Sequence, residues 1–274
     1  MKNVATIILN RNLPSVTERL YEHLTKFDGQ YTDIFVVEAG SDPDKLSRYT
    51  SWYVNSDEVM RNGLRYCRGM NYGLVQLLKE KKFEKYDFFF LLTNDTEFNN
   101  EPILAPLLNI LKEHPRVGIL SPCSDRWGER FLLNTTTTKY FWFIHNSAYL
   151  MRREFIESIC DKESPNPIDF LFDGTNFRGY GAEHELIAKA YINDWAAAIT
   201  SEVWSAENES HLLNNADQIK TENIEDNIGL YIVEGQRWMR KKYGFNSHWS
   251  MQQHVKNFYD KFFEFHPEYK QFKI

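Results

Sequence analysis

The chain has 274 residues, 42% of them hydrophobic and 26% charged, enough for one large α/β domain or one domain with a helical appendage. Its 32 Lys and Arg against 38 Asp and Glu leave a net charge of −6, which argues against a general nucleic-acid binder. No apolar stretch approaches the roughly 20 residues of a membrane span, and MKNVATIILN lacks a signal-cleavage pattern. Three cysteines (Cys67, Cys123, Cys160) without metal-type spacing read as reduced thiols in a cytoplasmic protein.

Val4 to Leu9 predicts a short strand, ended by Asn10-Arg11-Asn12-Leu13-Pro14. Val16, Leu20, Leu24 and Phe27 then recur at helical spacing over Ser15 to Phe27, with Ser15 as the expected cap. Asp33 to Val37 is a second strand, followed by the turn Glu38-Ala39-Gly40-Ser41-Asp42. This β-α-β unit belongs to a parallel sheet with a right-handed crossover. Trp52 to Val54 predicts a weaker third strand. Arg61 to Gly73, RNGLRYCRGMNYG, reads as a glycine-containing loop whose Arg65 and Arg68 favour an anion near a helix start at Leu74, or as a loop with surface arginines.

Tyr86 to Phe98, YDFFFLLTNDTEF, is the stretch on which the chain turns. A run of large apolar residues predicts a strand buried on both faces, and it ends abruptly in Thr93-Asn94-Asp95-Thr96-Glu97. Ligands of open α/β sheets bind beyond the carboxyl ends of the strands. A carboxylate among amide and hydroxyl oxygens suits a hard cation that also holds phosphates; a solvated Asx turn is the plainer reading. Further elements follow: a helix over Pro102 to Leu111, strands over Val117 to Leu120 and Tyr140 to Ile144, strand then helix over Ala148 to Ile159, and a loop over Ser164 to Gly174. Within Phe177 to Asn193, Arg178-Gly179-Tyr180-Gly181 is flexible backbone ahead of a helix opening with Glu183 and Glu185, carboxylates that favour the macrodipole. Ala196 to Val203 predicts a last strand, His211 to Asn227 a mobile polar loop, and Gly229 to Tyr243 a helix capped by Gly244. Met251, Val255, Phe258 and Phe262 form an apolar stripe that docks on the body, on a second subunit or on a membrane-associated partner.

The order of these segments resembles the inverting GT-A fold glycosyltransferases that build bacterial polysaccharides, over roughly Val4 to Gly244. TIILNRN resembles that family's first strand ending in Asn10 and Arg11. VVEAGSD, with Glu38, resembles its base-binding turn, and RGMNYG, with Arg68 and Asn71, its R-x-x-N-x-G segment. FFFLLTNDTEF, with Asn94 and Asp95, resembles the strand and acidic metal motif; YGAEHEL resembles the motif bearing the catalytic base; WMRKKYG resembles the closing helix. Thr93 and Ala182 replace acids usual in the family, and Ala39 replaces another. The further histidine ligand is not at its usual place, where His211 is the nearest substitute.

The resemblance implies a mainly parallel sheet flanked by helices over residues 1–210 (donor half about 1–98, acceptor half about 99–210), with a mobile loop and C-terminal helices over 211–274. It implies transfer of a sugar from a nucleoside diphosphate to a hydroxyl acceptor, such as a glycan, with inversion. Asp95 and His211 would hold Mn²⁺ or Mg²⁺; Asn10, Arg11, Glu38, Arg68, Asn71 and Asn94 would hold the donor; Glu183 would be the base. Trp127, Trp142 and Tyr180 are candidates for stacking on sugars. The alternatives are an inactive sugar- or nucleotide-binding scaffold on the same fold, and a nucleotidyltransferase, against which the first loop's lack of glycine counts.

Overall fold

The structure is a computed structural model, and it describes residues 2–124, 132, 137–145, 147–208, 210 and 223–274. The helices among them are α1 (Pro14–Asp28), α2 (Asp57–Asn62), α3 (Arg65–Lys79), α4 (Leu104–Glu113), α5 (Arg153–Ile159), α6 (Ala182–Ile192), α7 (Ile224–Tyr243) and α8 (His248–Phe265). The strands are β1 (Val4–Asn10), β2 (Thr32–Ala39), β3 (Thr50–Val54), β4 (Phe88–Thr93), β5 (Thr96–Phe98), β6 (Val117–Ser124), β7 (Thr138–Tyr140), β8 (Ala148–Arg152) and β9 (Ala196–Glu207). They form one sheet in the order β3-β2-β1-β4-β8-β6-β9-β5, with β7 paired to β9.

The first four strands are parallel, and β6 pairs β9 in parallel; β8 enters antiparallel between β4 and β6. Strand β4 lies mid-sheet. Phe89, Phe90, Leu91 and Leu92 have no exposed surface, which is why this run lacks the alternation of a half-buried strand. In register, Leu9 sits beside Thr93 and Asn10 beside Glu38, so the polar ends of β1, β2 and β4 open at one edge.

Several boundaries differ from the sequence expectation. Helix α1 starts at Pro14, and Ser15 makes no capping bond; Pro at the first turn needs no donor. The expected glycine loop before Leu74 is instead helix α3 from Arg65 onward, and Arg65 itself takes a left-handed φ of 58°. Its glycines serve packing, because a Cβ at Gly69 would lie 2.3 Å from Leu9 Cδ1 and one at Gly73 2.9 Å from Ile7 Cγ2. Only glycine lets α3 approach β1 so closely. Helix α7 begins at Ile224, five residues before the expected Gly229, where Asn223 Oδ1 accepts from Asp226 N at 2.8 Å. Gly244 ends it at φ 75°.

The C-terminal stripe docks on the body. Val255, Tyr259, Phe262 and Phe263 join the main core, and Met251 packs with Trp238 and Met239, whereas Phe258 is only partly buried. Each fully buried side chain contributes roughly 1.5–3 kcal/mol before ordering entropy. Tyr259 also donates its hydroxyl to Tyr140 O at 3.2 Å, which ties α8 to β7. Among the described residues, no helix is long and apolar enough to cross a membrane.

Candidate functional site

At the ends of β1, β2 and β4 the candidate donor-binding residues meet, but largely to bind one another. Glu38 has no exposed surface. Its carboxylate accepts from Asn10 Nδ2 (2.8 and 3.0 Å), Ser41 Oγ (2.5 Å), Ser47 N (2.9 Å) and Thr50 Oγ1 (3.1 Å). Asn94 Nδ2 donates to Asn10 Oδ1 (2.9 Å) and Thr17 Oγ1 (3.1 Å). Glu38 therefore folds the Ala39–Thr50 turn onto β1, and Asn94 sets the direction in which the chain leaves β4. Arg11 reaches the other side of this edge and donates to the Met60 and Arg61 carbonyls.

Arg68 and Asn71 clamp a remote loop onto α3. Asn71, also fully buried, donates to Ile168 O and Phe172 O (3.1 and 2.7 Å) and accepts from Leu171 N and Phe172 N (3.0 and 2.9 Å). Arg68 Nε donates to Gly174 O at 2.9 Å, and its guanidinium lies 4.8 Å from the Phe177 ring centre. This clamp brings the segment before α6 back to the first half of the chain.

Asp95 lies partly buried in the turn between β4 and β5, and its carbonyl accepts from Asn208 N at 3.0 Å. Strand β5 pairs with the end of β9, with Thr96 opposite Glu207. Glu207 Oε2 in turn lies 3.5 Å from His145 Nδ1. A carboxylate that the sequence reading passed over thus ends the strand beside Asp95. His211 and Trp127 lie outside the described residues. Trp142 packs edge-on against Tyr259 of α8, which makes it part of the core face rather than a sugar platform.

Glu183 opens α6 immediately after two left-handed glycines, Gly179 (φ 85°) and Gly181 (φ 80°). Its side chain is 14% exposed, with Oε1 2.9 Å from Nδ1 of the fully buried His184. Burial raises the pKa of the Glu183 carboxyl, but the neighbouring His184 imidazole, by charge and hydrogen bond, outweighs burial and holds it below its ordinary value, helped by His145. Tyr66, Tyr180 and Tyr231 surround it. The Tyr66 and Tyr231 phenols are pushed far up, chiefly by burial and then by nearby groups that include Glu183 and Glu207. Both carboxylates therefore act on the same two phenols, so the start of α6 and the β5–β9 end converge on one place.

Helix α7 covers this place. A Cβ at Gly235 would lie 2.5 Å from Tyr180 Cβ, and Tyr231 packs edge-on against the Tyr180 ring. Asn227 accepts from Arg65 and Arg178, and Arg178 also donates to Glu234 at 2.5 Å. Glu185 points elsewhere. It accepts from Tyr243 Oη at 2.5 Å and pairs with Lys242 at 2.6 Å, anchoring the end of α7.

No family model matches the chain, and no curated protein does. Solved structures do match. S. aureus TarS 1–349 in complex with UDP-GlcNAc superposes with a TM-score of 0.55 at 14% identity, over 97% of this chain and 73% of that one. GalNAc-T7 with UDP, GalNAc and Mn²⁺ superposes at 0.60 with 9% identity, over 96% of this chain and 56% of that one. The fold is that of the GT-A glycosyltransferases. The chain spans little more than half the length of GalNAc-T7.

On the GT-A frame, the sequence-predicted residues among those described fall in separate places. Asn10, Glu38 and Asn94 come together, and Arg68 and Asn71 form a separate clamp. Asp95 follows β4 and Glu183 opens α6. Sequence reasoning missed His184, His248, Glu207, His145 and Tyr66. His184 sits inside YGAEHEL, so a histidine beside a candidate base was a visible signal. His248, at the start of α8, carried none, because only the packing of α8 against α6 brings it near.

Proposed function

We propose that the chain transfers a sugar from a nucleoside diphosphate to a hydroxyl group of a glycan or similar acceptor, with inversion and with Mn²⁺ or Mg²⁺. The observation that carries this reading is Glu183, a carboxylate with a lowered pKa on a glycine-flanked helix start, converging with the Asp95 edge of a GT-A sheet. Inversion needs a base on the side of the sugar away from the diphosphate, and while Asp95 holds the metal beyond β4, Glu183 takes that part from the start of α6. It takes the acceptor proton as attack makes that hydroxyl acidic.

The residues fit a hard divalent ion. Asp95 offers a carboxylate at the turn, and Glu207 ends the strand paired beside it; such ions take one or two carboxylates together with substrate phosphates. When bound, the ion neutralises charge on the leaving diphosphate. Asn10, Glu38 and Asn94 act by fixing the shape of the nucleotide-facing turn, Arg11 and Arg68 add positive charge at its rim, and His211 is a further ligand. TarS was solved with UDP-GlcNAc and GalNAc-T7 with UDP and GalNAc, which makes UDP-sugars the first donors to assay. The donor half, acceptor half and C-terminal helices work as one unit, because the last helix shares the main core.

A second reading is a binding scaffold, favoured by Thr93 and Ala182 in place of acids and by the internal use of Asn71 and Glu38. A panel of UDP-, GDP-, dTDP- and CMP-sugars with and without Mn²⁺ separates the two. Metal-dependent release of nucleotide supports the enzyme. A thermal shift without any release supports the scaffold.

A further inference from the structure

Most buried polar groups of this chain have partners, but around His184 they do not. His184 has no exposed surface; its Nδ1 faces Glu183 Oε1 at 2.9 Å, while its Nε2 and His248 Nε2 make no hydrogen bond among the described residues. The two rings stand 4.4 Å apart between centres, at 81°. One ligand-type atom each from Glu183, His184 and His248 lies within 4.8 Å of the others. Burying imidazole nitrogens without partners is unfavourable, and two imidazoles beside a carboxylate suit an ion that accepts their lone pairs.

We propose that Glu183, His184 and His248 form a second ion site, which takes a borderline-soft divalent ion such as Zn²⁺. Two imidazoles and one carboxylate suit Zn²⁺, Ni²⁺ or Co²⁺, whereas Mg²⁺ and Mn²⁺ favour oxygen ligands. Zinc binds histidine nitrogen at about 2.0–2.1 Å, so a ligand set spanning 4.8 Å closes on the ion by small rotations of side chains. The walls hold the rings in place. Phe143 lies against His184 at 5.2 Å and Tyr180 against His248 at 4.8 Å, and Ser247 caps α8 one residue before His248. Its three residues come from α6 and α8, not from β4 or β5.

Occupancy has a consequence for the proposed transfer, on whose reading of Glu183 it rests. A carboxylate that donates its lone pair to zinc no longer accepts a proton, so zinc inhibits while Mn²⁺ at the donor site sustains activity. The ion site itself is tested without any turnover. The full-length protein is titrated with Zn²⁺ against a chromophoric chelator, and with Co²⁺ to read its visible absorption. One equivalent should bind, with Mg²⁺ failing to compete. His248→Ala, at the first turn of a capped helix, should weaken binding at least about 100-fold, as should Glu183→Gln, while Asp95→Ala should leave it unchanged. Undiminished zinc binding in both His248→Ala and Glu183→Gln overturns the site, as does the absence of binding in the wild type or its loss in Asp95→Ala. Zinc binding without transfer of any sugar would count against the enzyme reading alone. Transfer without zinc binding would count against the ion site alone.

Discussion

Glu38 is a buried carboxylate and Glu183 a half-buried one, and their surroundings are opposites. Glu38 receives hydrogen bonds from two side-chain hydroxyls, an amide and a backbone N–H, all supplied by the chain. Glu183 lies 2.9 Å from His184 Nδ1, and around it the Tyr66 hydroxyl, His184 Nε2 and His248 Nε2 make no hydrogen bond among the described residues. An unpaired buried polar group costs about 1–3 kcal/mol. A fold keeps several together only where something outside the chain completes them. The comparison separates architecture from chemistry: the first carboxylate holds a turn in shape, and the second is the one we propose for the site.

The strongest way to break this comparison is at Glu183. Glu183→Gln keeps shape and removes basicity, and should lower transfer about 10²–10⁴-fold while donor affinity by calorimetry stays unchanged. Glu185→Gln loses its charge pairing to Lys242 and should instead cost about 2 kcal/mol of stability, roughly 4–8 °C in Tm, with most activity retained below that temperature. If the two variants exchange effects, the base is Glu185 and the assignment at the start of α6 is wrong.

The next test acts on the partnered and unpartnered groups themselves. Glu38→Ala leaves Asn10, Ser41, Ser47 and Thr50 without their common acceptor and should cost about 3–4 kcal/mol in urea denaturation. Tyr66→Phe removes a buried hydroxyl that has no partner among the described residues, and should leave stability unchanged or raise it by about 1 kcal/mol. A large loss in Tyr66→Phe would show that this hydroxyl is already satisfied, and the contrast would fail.

The architecture was legible where local pattern and tertiary role coincide. The apolar run of β4, the β-α-β unit and the stripe on α8 each carry their periodicity in sequence, and the structure places them as expected. The glycines of RGMNYG misled, because a glycine chosen for a helix–strand contact looks like one chosen for a loop; only the Leu9 and Ile7 side chains reveal the difference. The site was legible in part. Asp95 and Glu183 stand at element ends that their flanks announce. That Asn71 and Glu38 serve the fold follows from partners about 100 and about ten residues away, which spacing alone does not encode. His248 enters through a helix packed from the far end of the chain, and no local signal marks it.

The smallest loss of stability is expected at another carboxylate, which is partnered but reached by solvent. Asp33, in β2 near its N-terminal end, pairs with Lys85 (2.7 Å) and Lys2 (3.2 Å) and accepts from Tyr86 Oη at 2.7 Å, with its side chain 28% exposed. Burial raises its pKa, but the bonds from Lys85, Tyr86 and Lys2 dominate and bring it down to about 2. An unfolded aspartate titrates near 3.9. The folded value is therefore the lower one, so the contribution is fully present above about pH 4 and is lost as pH falls through about 2. After allowance for solvent screening it amounts to about 1–2 kcal/mol. Asp33→Asn should show that loss in urea unfolding at pH 7, and the difference from wild type should shrink to a few tenths of a kcal/mol near pH 1.5. A difference that stays constant across this range would mean that the side chain acts through shape and hydrogen bonding rather than charge. Asp33 would then resemble Glu38 more closely than its exposure suggests.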